Sequence, residues 1–183
     1  MLSKINFSVF GRRVNLLAKI AKDRTEWVAG IGNRTEDGQY IVFLDYDGVP
    51  LDYIEDEIKF LQDNYYLSSA YIFFTGNGYH VIFLEKMSIG ELLRIMDSST
   101  CDKDYREVPL LNNRRIWVLR QTRKKNNGIK YLKEIRGVEY YRKRSKAHSL
   151  YLISRYGIKI DIKRNNFDKS ETLVTASYYI KGE

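Results

Sequence analysis

The apolar positions of the chain are densest in a run that ends in two carboxylates. Every position from Tyr40 to Leu44 is apolar or aromatic, and Asp45 and Asp47 follow with one tyrosine between them. A run that is apolar on both faces is typical of a strand in the centre of a sheet. Because side chains alternate along a strand, the two carboxylates are expected on one face. The pattern predicts a buried strand over residues 39–45 that carries a carboxylate pair.

A second apolar stretch, residues 70–84, predicts a β-hairpin. Its two halves flank residues 76–78, Gly-Asn-Gly, and an Asn-Gly pair between apolar runs is a strong hairpin signal. His80 comes shortly after this turn. A hairpin packed beside the first strand would bring His80 towards Asp45 and Asp47.

The spacing of apolar residues predicts the remaining elements. Helices are expected over residues 14–22, 52–66, 88–96 and 138–156. Further strands are expected over residues 26–32, 114–120, 130–135, 157–163 and 172–180. Turns or loops are expected at 37–38, 98–105 and 123–128. Asp52 and Ser88 are placed to cap the second and third helices. This order indicates an α+β fold, a mainly antiparallel sheet with helices packed on it, in a single domain of residues 1–183.

The charge of the chain is unevenly spread. The formal net charge is +8, with a balance of −4 over residues 1–100 and +12 over residues 101–183. Such asymmetry favours a polyanionic partner for the second half, with nucleic acid the first candidate. The alternative is a solvated basic surface. A single cysteine, Cys101, excludes an internal disulfide, and no apolar run approaches the ~20 residues of a membrane span. A cytoplasmic protein without a membrane partner is therefore expected.

The carboxylate pair and the histidine suggest a metal-dependent phosphate site. Mg²⁺ is usually held by one or two carboxylates together with phosphates of the substrate. Asp45 and Asp47, two residues apart on one face, could share one or two such ions. His80 could then donate a hydrogen bond to a triphosphate. The alternative is structural, since an Asp-x-Asp pair is common at strand ends and a histidine after a turn is often a surface residue.

Three short motifs resemble those of the archaeo-eukaryotic primases, which include plasmid and viral primase-polymerases. Residues 44–47, Leu-Asp-Tyr-Asp, are similar to the first motif of the family, a hydrophobic-Asp-hydrophobic-Asp sequence. Residues 75–80, Thr-Gly-Asn-Gly-Tyr-His, look like the second. Cys101 and Asp102, with arginines downstream, are the nearest match to the third, although Asp104 competes with Asp102. The resemblance covers residues 25–125 and leaves residues 126–183 as a basic C-terminal part.

The resemblance implies a template-directed nucleotidyltransferase built on a sheet related to the RNA-recognition fold. Its substrates would be nucleoside triphosphates and a single-stranded DNA template, with a helicase or other replication protein as a partner. Mg²⁺ or Mn²⁺ would be held by three catalytic carboxylates: Asp45, Asp47 and Asp102. The nucleotide would be bound by Thr75, Asn77, His80 and Arg120. The charge of the basic second half predicts that it binds the template, through Arg114, Arg115, Arg123, Lys124, Lys125 and the cluster at 142–146.

Two other functions fit parts of the sequence. Residues 43–51 and 73–76 resemble the first two motifs of haloacid-dehalogenase phosphatases, in which the first aspartate is the nucleophile. In that fold, however, the Thr-bearing strand leads into a helix, whereas here a turn and another strand are expected. The second alternative is a primase-like domain without catalysis that binds nucleic acid. Tyrosines of the basic half could stack on single strands or pack in the core: Tyr131, Tyr140, Tyr141, Tyr151 and Tyr156.

Overall fold

The computed structural model describes residues 2–9, 12–19, 25–122, 128–138, 142–162 and 175–181. The strands are β1 (Leu2–Val9), β2 (Arg12–Lys19), β3 (Thr25–Gly32), β4 (Tyr40–Asp47), β5 (Ala70–Phe74), β6 (Gly78–Met87), β7 (Val118–Arg120), β8 (Lys130–Ile135) and β9 (Thr175–Lys181). The helices are α1 (Leu51–Tyr65), α2 (Ile89–Asp97), α3 (Lys103–Leu111) and α4 (Lys146–Tyr156). None of these helices is both long enough and apolar enough to cross a bilayer within the described ranges.

All strand pairings in the described residues are antiparallel, which confirms the predicted α+β class. β1 pairs with β2, β3 lies between β7 and β9, and the central sheet has the order β4-β6-β5-β8. Because β4 and β5 both run antiparallel to β6, they are parallel to each other with β6 between them. The segment from β4 through α1 to β5 is thus a split β-α-β unit. The finer resemblance to the RNA-recognition fold stays a prediction.

The two faces of the central sheet build two separate apolar cores. On β4, the side chains of Val42 and Leu44 join one core with apolar residues of α1 and α2. The alternate side chains of Ile41 and Phe43 join the second core with residues of β3, β7 and α4. The central strand is therefore apolar on both faces, as its sequence predicts. Asp45 and Asp47 follow on the face of the second core.

Several local predictions are confirmed. The Gly-Asn-Gly turn joins β5 to β6, and Gly76 has a positive φ of 104° that glycine adopts without strain. Ser88 caps α2 in a capping box with Glu91. The turn at Asp37 and Gly38 is present, because the amide of Gly38 donates to the carbonyl of Thr35 at 3.0 Å. β3 and β4 lie in different sheets, but the chain between them pairs across this turn through an antiparallel bridge between Arg34 and Tyr40.

Two helix predictions need correction at their N-terminal ends. Asp52 does not cap α1, because the cap position is Pro50 and the Asp52 carboxylate accepts from the neighbouring amide of Tyr53. The predicted helix over residues 138–156 begins at Lys146. Residues 142–145 are not helical because they lie along β6, where Arg144 forms a β-bridge with Glu85. Residues 139–141 lie outside the described part of the chain.

Other predicted elements are wrong. Of the helix predicted over residues 14–22, residues 14–19 belong to β2, which pairs with β1, and residues 20–22 lie outside the described residues. A short apolar pattern can fit both a helix and a strand, and here the pairing with β1 decides for the strand. The predicted loop at 98–105 contains the start of α3. Within 114–120, only the last three residues are a strand. Residues 157–162 are not a strand, and residue 163 lies outside the described residues. Gly157 ends α4 in a left-handed conformation with φ 67°, and Ile158 packs in the second core.

Gly78 allows β4 and β6 to approach closely, and this gives a first testable prediction. A Cβ at Gly78 would lie 2.0 Å from the carbonyl oxygen of Tyr46. We expect Gly78→Ala to lower the free energy of unfolding by at least about 2 kcal/mol, because the two central strands must separate. Gly90→Ala is the matched control, since nothing lies within 4 Å of its Cβ position. It should be neutral or stabilise α2 by about 0.5–1 kcal/mol. Urea unfolding of both variants checks this, and equal effects would contradict it.

Candidate functional site

The pairing of β4 with β6 places His80 directly opposite Asp45. The histidine Nε2 lies 3.4 Å from Oδ1 of Asp45, and Asp47 faces Gly78 at the next pair of the same face. The three residues differ in their access to water. His80 is only 4% exposed, the Asp45 side chain is 27% exposed and Asp47 is exposed at the surface. The predicted convergence of the histidine on the carboxylate pair is thus present in the fold.

The buried position of His80 keeps its imidazole neutral. Burial, and secondarily the positive charge of Arg120, lower the pKa of His80 from 6.5 to about 3. The contact with Asp45 therefore joins a neutral ring to a carboxylate rather than two full charges. Nδ1 of His80 is buried and has no hydrogen-bond partner in the described structure. A buried side-chain nitrogen without a partner is uncommon in folded proteins.

Arg120, at the end of β7, provides the positive charge of the site. β7 reaches this place because it pairs with β3, with Arg120 opposite Gly30. Burial lowers the pKa of Arg120, while the negative charges of Asp45 and then Asp47 raise it. The Nη1 group donates to the carbonyl of Thr122, which orients the guanidinium. The predicted nucleotide-binding arginine is therefore in the electrostatic range of both carboxylates and of His80.

The turn residues Thr75 and Asn77 lie beside Asp47, since their turn ends at its cross-strand partner Gly78. Thr75 is buried, and its hydroxyl accepts a hydrogen bond from the amide of Gly78 at 3.2 Å. Its first role is therefore to shape the turn. Asn77 is exposed at the tip. The structure leaves both residues adjacent to the carboxylates, and their predicted contact with a nucleotide stays a prediction.

Asp102 adjoins the carboxylate pair through its backbone. Its amide donates to the carbonyl of Asp45 at 2.7 Å, while its side chain caps α3 by accepting from the amide of Tyr105 at 2.7 Å. Asp104 lies in the exposed first turn of α3. Among the described residues, no three His, Cys, Asp or Glu side chains are grouped so that they could hold a metal ion. The donor set fits a cation that takes two carboxylates and completes its shell with phosphates and water.

The predicted template-binding residues are placed in different ways. Arg114 and Arg115 are exposed in the loop after α3, where Arg115 has a positive φ of 49°. Arg123, Lys124 and Lys125 lie outside the described residues. Within the predicted cluster at 142–146, Arg144 is not available to a polyanion, because it is buried in an ion pair with Glu85 at 3.1 Å. The net charge of the second half therefore overstates its exposed basic surface.

The tyrosines near the site serve the second core. Tyr151 and Tyr156 both donate to the amide oxygen of Gln121, at 2.8 and 2.5 Å, and Tyr156 packs on Phe73 with ring centroids 4.7 Å apart. Tyr131 packs against the same core. The core-packing explanation is correct for these three residues. Tyr140 and Tyr141 lie outside the described part of the chain.

One carboxylate beside the site was not predicted from the sequence. Glu57 on α1 accepts hydrogen bonds from Tyr46, which lies between Asp45 and Asp47, and from Thr100, two residues before Asp102. From the sequence, the acidic residues in the first turns of α1 are explained only by their favourable interaction with the helix dipole. No local signal identifies it, because its partners are 11 and 43 residues away.

Comparisons of the chain with protein-family models, curated proteins and solved structures find no match. The resemblance to primases therefore stays a prediction that rests on the motifs. The geometry of Asp45, His80 and Arg120 is an independent observation, and it is the basis of the functional proposal.

The neutral state of His80 predicts a specific dependence of stability on pH. Its folded pKa of about 3 lies below the ordinary 6.5, so the unfolded chain binds the extra proton more readily between these values. Stability from this residue is therefore complete above pH 6.5 and falls as the pH decreases. We expect wild type to lose about 1.4 kcal/mol per pH unit relative to His80→Gln below pH 6.5. Chemical unfolding of both proteins at pH 7, 6 and 5 checks this, and parallel curves would contradict a buried neutral imidazole.

Proposed function

We propose that the chain is a metal-dependent nucleotidyltransferase that adds nucleotides on a single-stranded nucleic acid template. The observation that carries the proposal is the cross-strand pairing of Asp45 with His80, with Arg120 beside both. This arrangement puts anionic oxygens, a nitrogen that can bond a ligand and a guanidinium on one face. A nucleoside triphosphate with its divalent cation needs these three kinds of group.

Asp45 and Asp47 would hold Mg²⁺ or Mn²⁺ through their side-chain oxygens. Their shared strand face and their access to water fit a cation that arrives with its phosphates. When bound, such ions supply activation of the attacking hydroxyl and stabilisation of the leaving pyrophosphate. Asp102 would join them only through the side-chain oxygen that does not accept from Tyr105.

His80 and Arg120 would bind the phosphates of the incoming nucleotide. A neutral imidazole has a single N–H, and a bond from it to an anionic phosphate oxygen is charge-assisted. For His80 to make this bond through Nδ1, which has no partner in the described structure, the proton must lie on Nδ1, and the Asp45 oxygen that faces Nε2 would then bind the cation instead of accepting from the ring. The guanidinium of Arg120 offers further donors and a charge that the half-buried position strengthens.

The remaining parts of the proposal concern partners and location. Single-stranded DNA would be the template, and the exposed Arg114 and Arg115 would contact its phosphates. A helicase or another replication protein would supply the single strand, and a cytoplasmic location belongs to the same proposal. The phosphatase receives no support, because Thr75 leads into the antiparallel strand β6 instead of a helix.

One observation favours a second function, a nucleic-acid-binding domain without catalysis. The side chain of Asp102 is engaged as a helix cap, and the described residues contain no three-carboxylate metal group. Incubation with single-stranded template, labelled nucleoside triphosphates and Mg²⁺ or Mn²⁺ separates the two functions. Template-dependent products support the transferase, whereas template binding without products supports the binding domain.

The carboxylate pair gives the most direct prediction of the proposal. Asp45→Asn and Asp47→Asn each remove a charge that the cation requires, so we expect extension to fall at least about a hundredfold. Asp63→Asn is the control, because Asp63 is an exposed aspartate on α1 away from this strand. Circular dichroism establishes that all three variants are folded. Near-normal extension by either site variant would remove the pair from the mechanism.

Arg120 predicts two affinity changes of opposite sign. Its positive charge repels a divalent cation at Asp45 and Asp47 but attracts a triphosphate. We therefore expect Arg120→Gln to bind Mn²⁺ alone a few-fold more tightly, and a triphosphate roughly ten- to a hundredfold more weakly. Arg106→Gln is the control, a partly buried arginine whose partners are Asp97 and Glu107. Titration of each ligand checks both signs. A loss of both affinities together would show that Arg120 only supports the fold.

A further inference from the structure

The Glu57 carboxylate joins three parts of the chain. Glu57 lies on α1, and its Oε1 accepts from the hydroxyl of Tyr46 at 2.6 Å. Its Oε2 accepts from both the amide and the hydroxyl of Thr100, at 2.9 and 2.8 Å. One side chain thus receives three hydrogen bonds, from the central strand and from the loop that follows α2.

Both partners adjoin residues of the candidate site. Tyr46 is fully buried and separates Asp45 from Asp47 along β4. Thr100 precedes Asp102, whose amide donates to the carbonyl of Asp45 at 2.7 Å. The contacts therefore form a closed ring: from β4 through Tyr46 to Glu57, on to Thr100, and along the chain back to β4.

A carboxylate suits the centre of the ring. An ionised carboxylate has only acceptors, so it can take the phenol, the amide and the threonine hydroxyl together. The phenol of Tyr46 donates to it. A glutamine at this position can accept from Thr100 through its one oxygen, but its nitrogen then faces Tyr46, so it cannot accept from the phenol as well.

The neighbouring acids of α1 do not share this arrangement. Glu55 pairs with Lys133 of β8, and Asp56 pairs with Lys59 one turn along the helix at 3.2 Å. The partners of Glu55 and Asp56 in these ion pairs are lysines of β8 and α1, and neither partner belongs to the loop of Thr100. The contacts of Glu57 are therefore particular to its position and do not reflect a general acidic face of the helix.

We propose that Glu57 is a positioning residue that holds residues 98–102, the loop between α2 and α3, against the strand of Asp45 and Asp47. By fixing this loop, Glu57 sets the affinity of the carboxylate pair for a divalent cation. This inference rests on the proposed function, because it assigns Glu57 to the metal site of that proposal. Glu57 itself faces the side of the sheet that α1 covers, so it acts through Tyr46 and Thr100 rather than by touching the cation.

The test combines two substitutions with two matched controls. Glu57→Gln removes the charge and one acceptor from the centre of the ring, and Thr100→Val removes one hydroxyl at an exposed position where the fold should tolerate it. Asp56→Asn removes a charge one residue from Glu57, and Thr100→Ser keeps the hydroxyl. Mn²⁺ binding is measured by electron paramagnetic resonance with the cation alone. Amide hydrogen exchange over residues 98–102 is measured by mass spectrometry on the same proteins.

We expect faster exchange over residues 98–102 and weaker Mn²⁺ binding in Glu57→Gln and Thr100→Val. The loss of affinity should be up to roughly tenfold in Glu57→Gln and smaller in Thr100→Val, because the latter loses only one of three bonds. Both controls should match wild type. If Glu57→Gln does not fold, the comparison of Thr100→Val with Thr100→Ser decides.

The outcomes separate this inference from the proposed function. Wild type that binds Mn²⁺, together with unchanged affinity in Glu57→Gln and Thr100→Val, would overturn the positioning role alone. Faster exchange without any change of Mn²⁺ affinity would do the same, since the ring would then be structural only. Wild type that binds no Mn²⁺ would overturn the metal site of the proposed function and this inference with it.

Discussion

The close approach of β4 and β6 is the constraint on which the candidate site depends. At Gly78 the two strands leave no room for a side chain, because a Cβ would lie 2.0 Å from the Tyr46 carbonyl. The register that follows puts His80 opposite Asp45 and leaves Asp47 at the exposed end of β4. A shift by one residue would turn the carboxylates to the opposite face, towards α1 and α2. The chemistry of the site and the packing of both cores therefore depend on the same set of strand pairs.

The groups of the site differ in how far they are buried, and burial sets the charge state of His80. His80 is almost completely buried and stays neutral, whereas Asp47 is in water. Arg120 lies between these extremes and partly balances the carboxylates. A bound cation and phosphates would change this balance in opposite directions. Such a site is consistent with a ligand that carries both charges, as a metal-bound triphosphate does.

The basic character of the second half divides into structural and exposed charge. Arg144 forms a buried ion pair with Glu85, and this pair fixes the segment before α4 to β6. Arg142 pairs with Glu91 at 3.3 Å. By contrast, Arg114 and Arg115 are exposed in the loop that follows α3. Asp102, which caps the N-terminus of α3, lies beside Asp45, whereas this loop follows the C-terminal end of the same helix. The exposed charge is the part that a polyanionic partner could contact.

The sequence by itself determined the local features: the apolar strand that ends in Asp45 and Asp47, the hairpin about Gly76–Gly78 and the capping box at Ser88. These follow from periodicity, turn chemistry and capping, which act over a few residues. Tertiary structure alone decided that residues 12–19 pair as a strand and that residues 142–145 extend along β6. It also decided that Arg120 lies near Asp45 and that Glu57 binds Thr100. The physical reason is that these contacts join residues tens of positions apart, so their partners appear only when the sheets and helices have packed.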